Sequence, residues 1–518
     1  MKHIYFNGKV YTGSLPLAEA FAVENGKFIF AGSSKSVLKL AGEGDVCTDL
    51  KGRFVCSGFN DSHMHLLGYG NSLCSARLAA RTESLADMLQ CLKEFYRENP
   101  CAEGEWLMGR GWNQDYFTDA DRMPDRHDLD QVSEDVPVCA VRACGHCLVV
   151  NTKALQLLGI TKDTPQPEGG CIGMDEEGPD GRFFDNAMDL VYHAIPVPDK
   201  EGIKNRIRLA CRALNSYGVT SSQTDDYCMY RDVPWQTVNE AYRELEAEGE
   251  LTVRVYEQCN FTELSELKAF VEAGDGALGA RTAYLSRPYA DDPSTCGIPV
   301  FSQEVFDEMI GYANAHGMQA AVHAIGDACL DRVLDAYEKA LKEHPREDHR
   351  HGIVHCQITR PDQLERIARL KLHVYAQSIF LDYDNHIVKD RVGEELASTS
   401  YSWKTLMKQG VSVSNGTDCP VELPDALASM ECAVTRTTIK DHVGPYLPDE
   451  AFTVQEALDS YTIRGAEGSF EEKIKGKICP GMLADFVILE QSPFETAPEQ
   501  LHTIPVHAAY LGGRKVFG

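Results

Sequence analysis

Residues 301–327 read FSQEVFDEMIGYANAHGMQAAVHAIGD. The first half spaces its apolar residues as one face of a helix. The second, MQAAVHAI, is a short apolar run with a glycine on either side, as a buried strand would be. A helix leading into a buried strand is the unit of a parallel sheet, because parallel neighbours need a crossover between them. The same alternation runs in both directions. KNRIRLACRALNSYG (204–218) is helical in spacing, and VTSSQTDD (219–226), LTVRVYEQC (251–259), RHGIVHCQ (350–357), LKLHVYAQS (370–378) and VSVSNGTD (411–418) read as strands. So many strand and helix units in series predict an α/β fold, a distorted (β/α)8 barrel of the TIM type.

Both chain ends have a different texture. KHIYFNGKVYTG, EAFAVENGKFIFAG and DVCTDLKGRFVCSG near the start, and GKICPGMLADFVIL and VHAAYLGGRKVFG near the end, are short strands punctuated by Gly and Asn-Gly turns. They predict a small β-sandwich built from residues 1–56 and 472–518, beside a barrel spanning 57–471. Residues of about 75–200 break the barrel rhythm and read as an inserted subdomain after the first barrel strand.

In FVCSGFNDSHMH (54–65) the strand period of two places His63 and His65 on one face. His323, His355 and Asp418 stand at the ends of three later strand segments. The carboxyl ends of barrel strands share one mouth, so these five residues are expected to converge into a nitrogen- and oxygen-rich site suited to a divalent metal. Zinc is the first expectation, with one ion or two left open.

The totals narrow the function further. The 518 residues carry 50 basic and 78 acidic side chains, a net charge of −28, which disfavours nucleic acid and anionic membrane. MKHIYFNGKVYTGS lacks the apolar core of a signal peptide, and a cytoplasmic location is expected. The 18 cysteines are scattered, as reduced thiols are, and Cys144 and Cys147 in RACGHCLVVN are the pair with CxxC spacing, read as structural. No phosphate-cradling Gly-rich loop is present in the sequence.

GFNDSHMH, VHAIGD, IVHCQ, NGTDCPVE and GKICPGMLADFVIL resemble the amidohydrolase superfamily, specifically its YtcJ-like branch, the amidohydrolase 3 group related to N-substituted formamide deformylases. RGWNQDYF, HDLDQVS, VNTKAL, DGALGARTAYLSRPYADD, YSWKTLMKQG and YTIRGAE extend the likeness over nearly the whole chain. The resemblance implies a metal-dependent hydrolase of a non-peptide C–N bond, of the amide or N-substituted formamide type. His63, His65, His323, His355 and Asp418 would be metal ligands, and Asp418 also the catalytic acid–base. A deaminase or cyclic-amide hydrolase, or a degenerate non-catalytic homologue, is the alternative. The partner implied is a small amide-type molecule, and a homodimer stays open.

His146 in the insert, Arg281 in GARTAYL and Gln377 in YAQS are weaker candidates for substrate binding; the bland alternatives are a structural polar residue, an ion pair and a buried amide. Trp112, Tyr116 and Phe117 hint at an apolar substituent on the substrate, and core packing explains them equally well.

One segment departs from the branch, whose members carry a lysine-bearing strand just before DG-x-LG-x-RTA. Here LSELKAFVEAG (264–274) reads as a helix running directly into Asp275-Gly276, Lys268 sits in its charged pattern, and only seven barrel strands are counted. A two-metal site bridged by that lysine is therefore not expected.

Overall fold

The computed structural model describes residues 1–102, 104–142, 147–167, 170–230, 233–260 and 269–518. The chain divides into two compact units, Met1–Gly68 with Ile207–Gly518, and Tyr69–Arg206.

The larger unit holds the parallel strands. We label them β1 (Phe59–Met64), β2 (Val219–Thr224), β3 (Arg254–Glu257), β4 (Ala269–Ala273), β5 (Gln319–Ala324), β6 (Gly352–His355), β7 (His373–Ala376) and β8 (Val413–Asn415). They lie in two all-parallel sheets, three strands in the order β3-β2-β1 and five in the order β4 to β8. The ends of β1 and β8 are stitched by Asp418 N donating to His63 O (2.8 Å) and His65 N donating to Cys419 O (2.7 Å). Gly416 permits that approach, since a Cβ there would lie 2.5 Å from His63 N. This is the distorted α/β barrel that the strand and helix rhythm predicted.

The strand count is corrected. β4 occupies Ala269–Ala273, inside the segment read as a helix, and pairs in register with β5 from Ala269 opposite Gln319 to Ala273 opposite His323. The barrel therefore has eight strands, not seven. A run as short as AFVEA has no periodicity strong enough to decide between helix and strand, and the unpaired edge of β5 decides it. Lys268 lies outside the described residues.

The same unit carries two further sheets built from both chain termini. One has four strands, Lys27–Gly32, Ala20–Glu24, Lys2–Phe6 and Val46–Asp49. The other has five, Lys9–Val10, Phe54–Ser57, Phe486–Leu489, Val506–Leu511 and Arg514–Phe517. Tyr5, Phe21, Phe28, Val55, Phe486 and Ile488 form one core between them, the β-sandwich arrangement.

The second unit is organised on a six-stranded sheet whose centre pairs Val138–Arg142 with Cys147–Val150 and Leu107–Trp112. Trp112 is fully buried there and donates from Nε1 to Ala140 O (2.9 Å), which gives it a core role, and Phe117 packs against the same cluster. Tyr116 is exposed. Among the described residues no helix is long and apolar enough to cross a membrane.

Candidate metal centre

β1 ends in Ser62-His63-Met64, and the strand period turns His63 and His65 toward a common point; their rings lie 5.4 Å apart, centroid to centroid. From β6 comes His355, with its ring 5.6 Å from that of His63. From the loop after β8 comes Asp418. One ligand atom each of His63, His355 and Asp418 lie within 4.8 Å of one another, and all three residues are buried. His65 reaches the same carboxylate, with Nε2 3.1 Å from Asp418 Oδ1, against 3.3 Å for His63 Nε2.

His355 and Asp418 both adopt left-handed backbone, with φ of 72° and 56°. For non-glycine residues this costs roughly 1–2 kcal/mol each, and such strain collects where a site demands a particular side-chain direction.

The electrostatics are those of a cation site. Burial works to raise the Asp418 pKa, but the His63, His65 and His355 imidazoles outweigh it and hold the carboxyl well below the usual range. Burial, with His323 and His63 close by, holds His355 neutral against the pull of Asp418. His65 is half-buried, which works to lower its pKa, yet Asp225 and Asp418 lift it to about 11. His355 Nδ1 is buried with no hydrogen-bond partner, while Asp418 Oδ1 is buried between the His63 and His65 imidazoles. An orphaned atom such as His355 Nδ1 costs free energy unless something binds it. A neutral imidazole with an unpaired nitrogen beside an ionised carboxylate is what a divalent ion of the zinc type requires.

His323 is placed differently. Its ring packs on His355 at 4.3 Å, but its Nε2 faces Asp275 Oδ1 and Gly276 O, both at 3.3 Å. Asp275 is itself fixed by backbone N–H donors from Ile325 (3.0 Å), Gly326 (2.7 Å) and Tyr284 (2.8 Å). The structure thus draws ligand atoms of His63, His355 and Asp418 together, with His65 reaching the Asp418 carboxylate from one side and His323 packed against His355 on another.

Gln377 is fully buried. Its Nε2 donates to Tyr375 O (2.9 Å), while its Oε1 has no hydrogen-bond partner. Arg281 is paired with Asp291 at 2.7 Å on a partly exposed surface. His146 lies outside the described residues, as does Cys144. Four residues at the site escaped sequence reasoning: Asp225, bonded to His65 Nδ1 at 2.5 Å; Asp226, next to it in the chain; Asp275; and Phe380, stacked on His355 at 5.7 Å. The Thr-Asp-Asp at the end of β2 was the available signal for the first two, since carboxylates at a strand's carboxyl end face the barrel mouth.

A parallel barrel with buried histidines and a carboxylate converging at the carboxyl ends of its strands defines a metal-dependent hydrolase. The profile of the Amidohydrolase family matches residues 47–517, and the chain belongs to that family. It is 35% identical over 536 residues to the putative amidohydrolase YtcJ of Bacillus subtilis (strain 168), covering 100% of this chain and 99% of that one. It is 26% identical over 524 residues to the N-substituted formamide deformylase of Arthrobacter pascens, covering 96% of this chain and 94% of the other. The crystal structure of an uncharacterized metal-dependent hydrolase from Pyrococcus furiosus superimposes with a TM-score of 0.79 at 31% identity, over 96% of this chain and 100% of that one. Family and site together make this chain a metal-dependent hydrolase of a C–N bond.

Proposed function

We propose that the chain hydrolyses an amide or N-substituted formamide bond of a small, non-peptide molecule, with one zinc ion held by His63, His65, His355 and Asp418. The observation that carries this reading is the convergence of ligand atoms from His63, His355 and Asp418 within 4.8 Å, all three residues buried. His323, at the edge of this set, completes the ligands expected from the sequence. When bound, such an ion supplies Lewis-acid polarisation and lowers the pKa of a coordinated water from 15.7 to about 7.

The protein's own groups supply the rest. Asp418, an ionised carboxylate at neutral pH, accepts a proton from the attacking water and delivers it to the departing nitrogen, which leaves as an amine only once protonated. Gln377, buried beside His355, is a candidate to touch substrate, as are His146 and Arg281. The scattered, largely buried cysteines suit a reducing, cytoplasmic setting.

The first test is metal content. Elemental mass spectrometry of the folded chain, purified without chelators or a metal-binding tag, is expected to find about one zinc-type ion per chain, with turnover of N-substituted formamides or amides lost on chelation and restored by zinc. A folded chain that holds no metal and regains none sinks the hydrolase reading.

A further inference from the structure

Three consecutive residues at the end of β2 meet three consecutive residues after β1 one for one. Thr224 Oγ1 accepts from Leu66 N–H (2.9 Å), Asp225 Oδ1 bonds His65 Nδ1 (2.5 Å), and Asp226 Oδ1 accepts from Leu67 N–H (2.9 Å). Leu66 and Leu67 open the helix Leu66–Leu73, whose first N–H groups have no intrahelical acceptor, so Thr224 and Asp226 satisfy a helix start. Asp226 is aimed in turn by the Tyr242 hydroxyl, which donates to its Oδ2 (2.5 Å). The main chain at 65–67 is thereby held from both sides, with His65 N also donating to Cys419 O (2.7 Å). The bond that remains, from Asp225, goes to the imidazole ring.

We propose that Asp225 is the positioning residue that makes His65 a metal ligand: it holds the Nδ1 proton, so that Nε2, the nitrogen 3.1 Å from Asp418 Oδ1, is the one that exchanges its proton for a metal. The assignment rests on the metal-hydrolase reading above. A carboxylate on the far nitrogen of a ligand histidine fixes its tautomer and ring direction and raises its basicity, and removing it costs about 10- to 100-fold in metal affinity. Asp226, by contrast, holds backbone, and its contribution is to the fold.

The test measures zinc dissociation constants on the metal-free full-length chain by chelator competition, together with the melting temperature of that metal-free chain. Asp225→Ala is expected to weaken zinc binding about 10- to 100-fold, and, because the His65–Asp225 ion pair goes with it, to lower the metal-free melting temperature as well. Asp225→Asn, whose amide oxygen still accepts from Nδ1, is expected to recover most of that loss. Asp226→Asn is expected to lower the metal-free melting temperature and to leave the zinc constant within about twofold.

Zinc binding by Asp225→Ala within about twofold of the parent overturns the assignment, as does a loss equalled by Asp226→Asn, which would make the loop rather than the ring the controlling element. A parent chain that binds no zinc overturns the hydrolase reading and this inference with it. A parent that binds, beside an Asp225→Ala chain that binds equally, overturns this inference alone.

Discussion

The barrel has histidines at both ends, and they are held in opposite ways. At the amino ends of β6 and β7 sit His349, His351 and His373. His351 accepts from Ala320 N–H at Nδ1 (3.0 Å) and meets Asn314 Oδ1 at Nε2 (3.1 Å). His349 accepts from His351 N–H (3.0 Å) and meets Leu370 O (3.0 Å), and His373 meets Ser414 Oγ (2.8 Å). Each of these hydrogen-bond partners is neutral. At the carboxyl ends, four residues further along β6 from His351, His355 has an orphaned Nδ1 and the carboxylate of Asp418 close by, and His65 lies between two carboxylates. A histidine's place on a buried strand therefore says little; the charge and completeness of its partners separate a packing group from a ligand.

Removing the charged end tests this contrast most severely. His63→Ala with His65→Ala is expected to abolish turnover and to eliminate high-affinity zinc, read by activity assay and metal analysis, with folded secondary structure retained. Unchanged turnover in the double variant would place the chemistry elsewhere. His351→Ala, at the other end of the same strand, is expected to do the reverse. It leaves Ala320 N–H and Asn314 Oδ1 buried without partners and opens a cavity, a loss of about 2–4 kcal/mol that lowers Tm, while the metal count stays at the parent value. A drop in metal content there would mean that the two ends are coupled.

A weaker signature lies in pH. Burial, with Arg350 and Arg464 nearby, pushes His373 down from 6.5 to about 3. The unfolded chain therefore takes up this proton near pH 6.5, while the folded chain refuses it until about 3. The contribution of neutral His373 to stability is full above about 6.5 and is lost progressively as the pH falls toward 3. His373→Gln retains a donor for Ser414 and removes the titration, so the fall of Tm between pH 6.5 and 4 is expected to become shallower, as thermal scans across that range would show. An identical slope would mean that folding leaves the His373 pKa unshifted.

Much of the fold was legible because barrel strands are apolar runs bounded by glycines and separated by helical spacing, as in 301–327. β4 was not legible. Five residues of mixed character carry no period of their own, and only the edge of β5 recruits them as a strand. The site divides likewise. His63 and His65 announced themselves through the period of two, and His355 and Asp418 through their positions at strand ends. Asp225 and Asp275 stand at strand ends as well, but what they do depends on which ring they touch, and that partner lies 160 residues away for Asp225.

The parallel α/β barrel, its terminal sandwich and the residue types of the metal centre could all be read along the chain, because periodicity and strand-end position are local properties. That His323 turns toward Asp275 while His65 is held between Asp225 and Asp418 emerges solely on folding, because the direction of an imidazole is set by whichever carboxylate the fold brings to its ring.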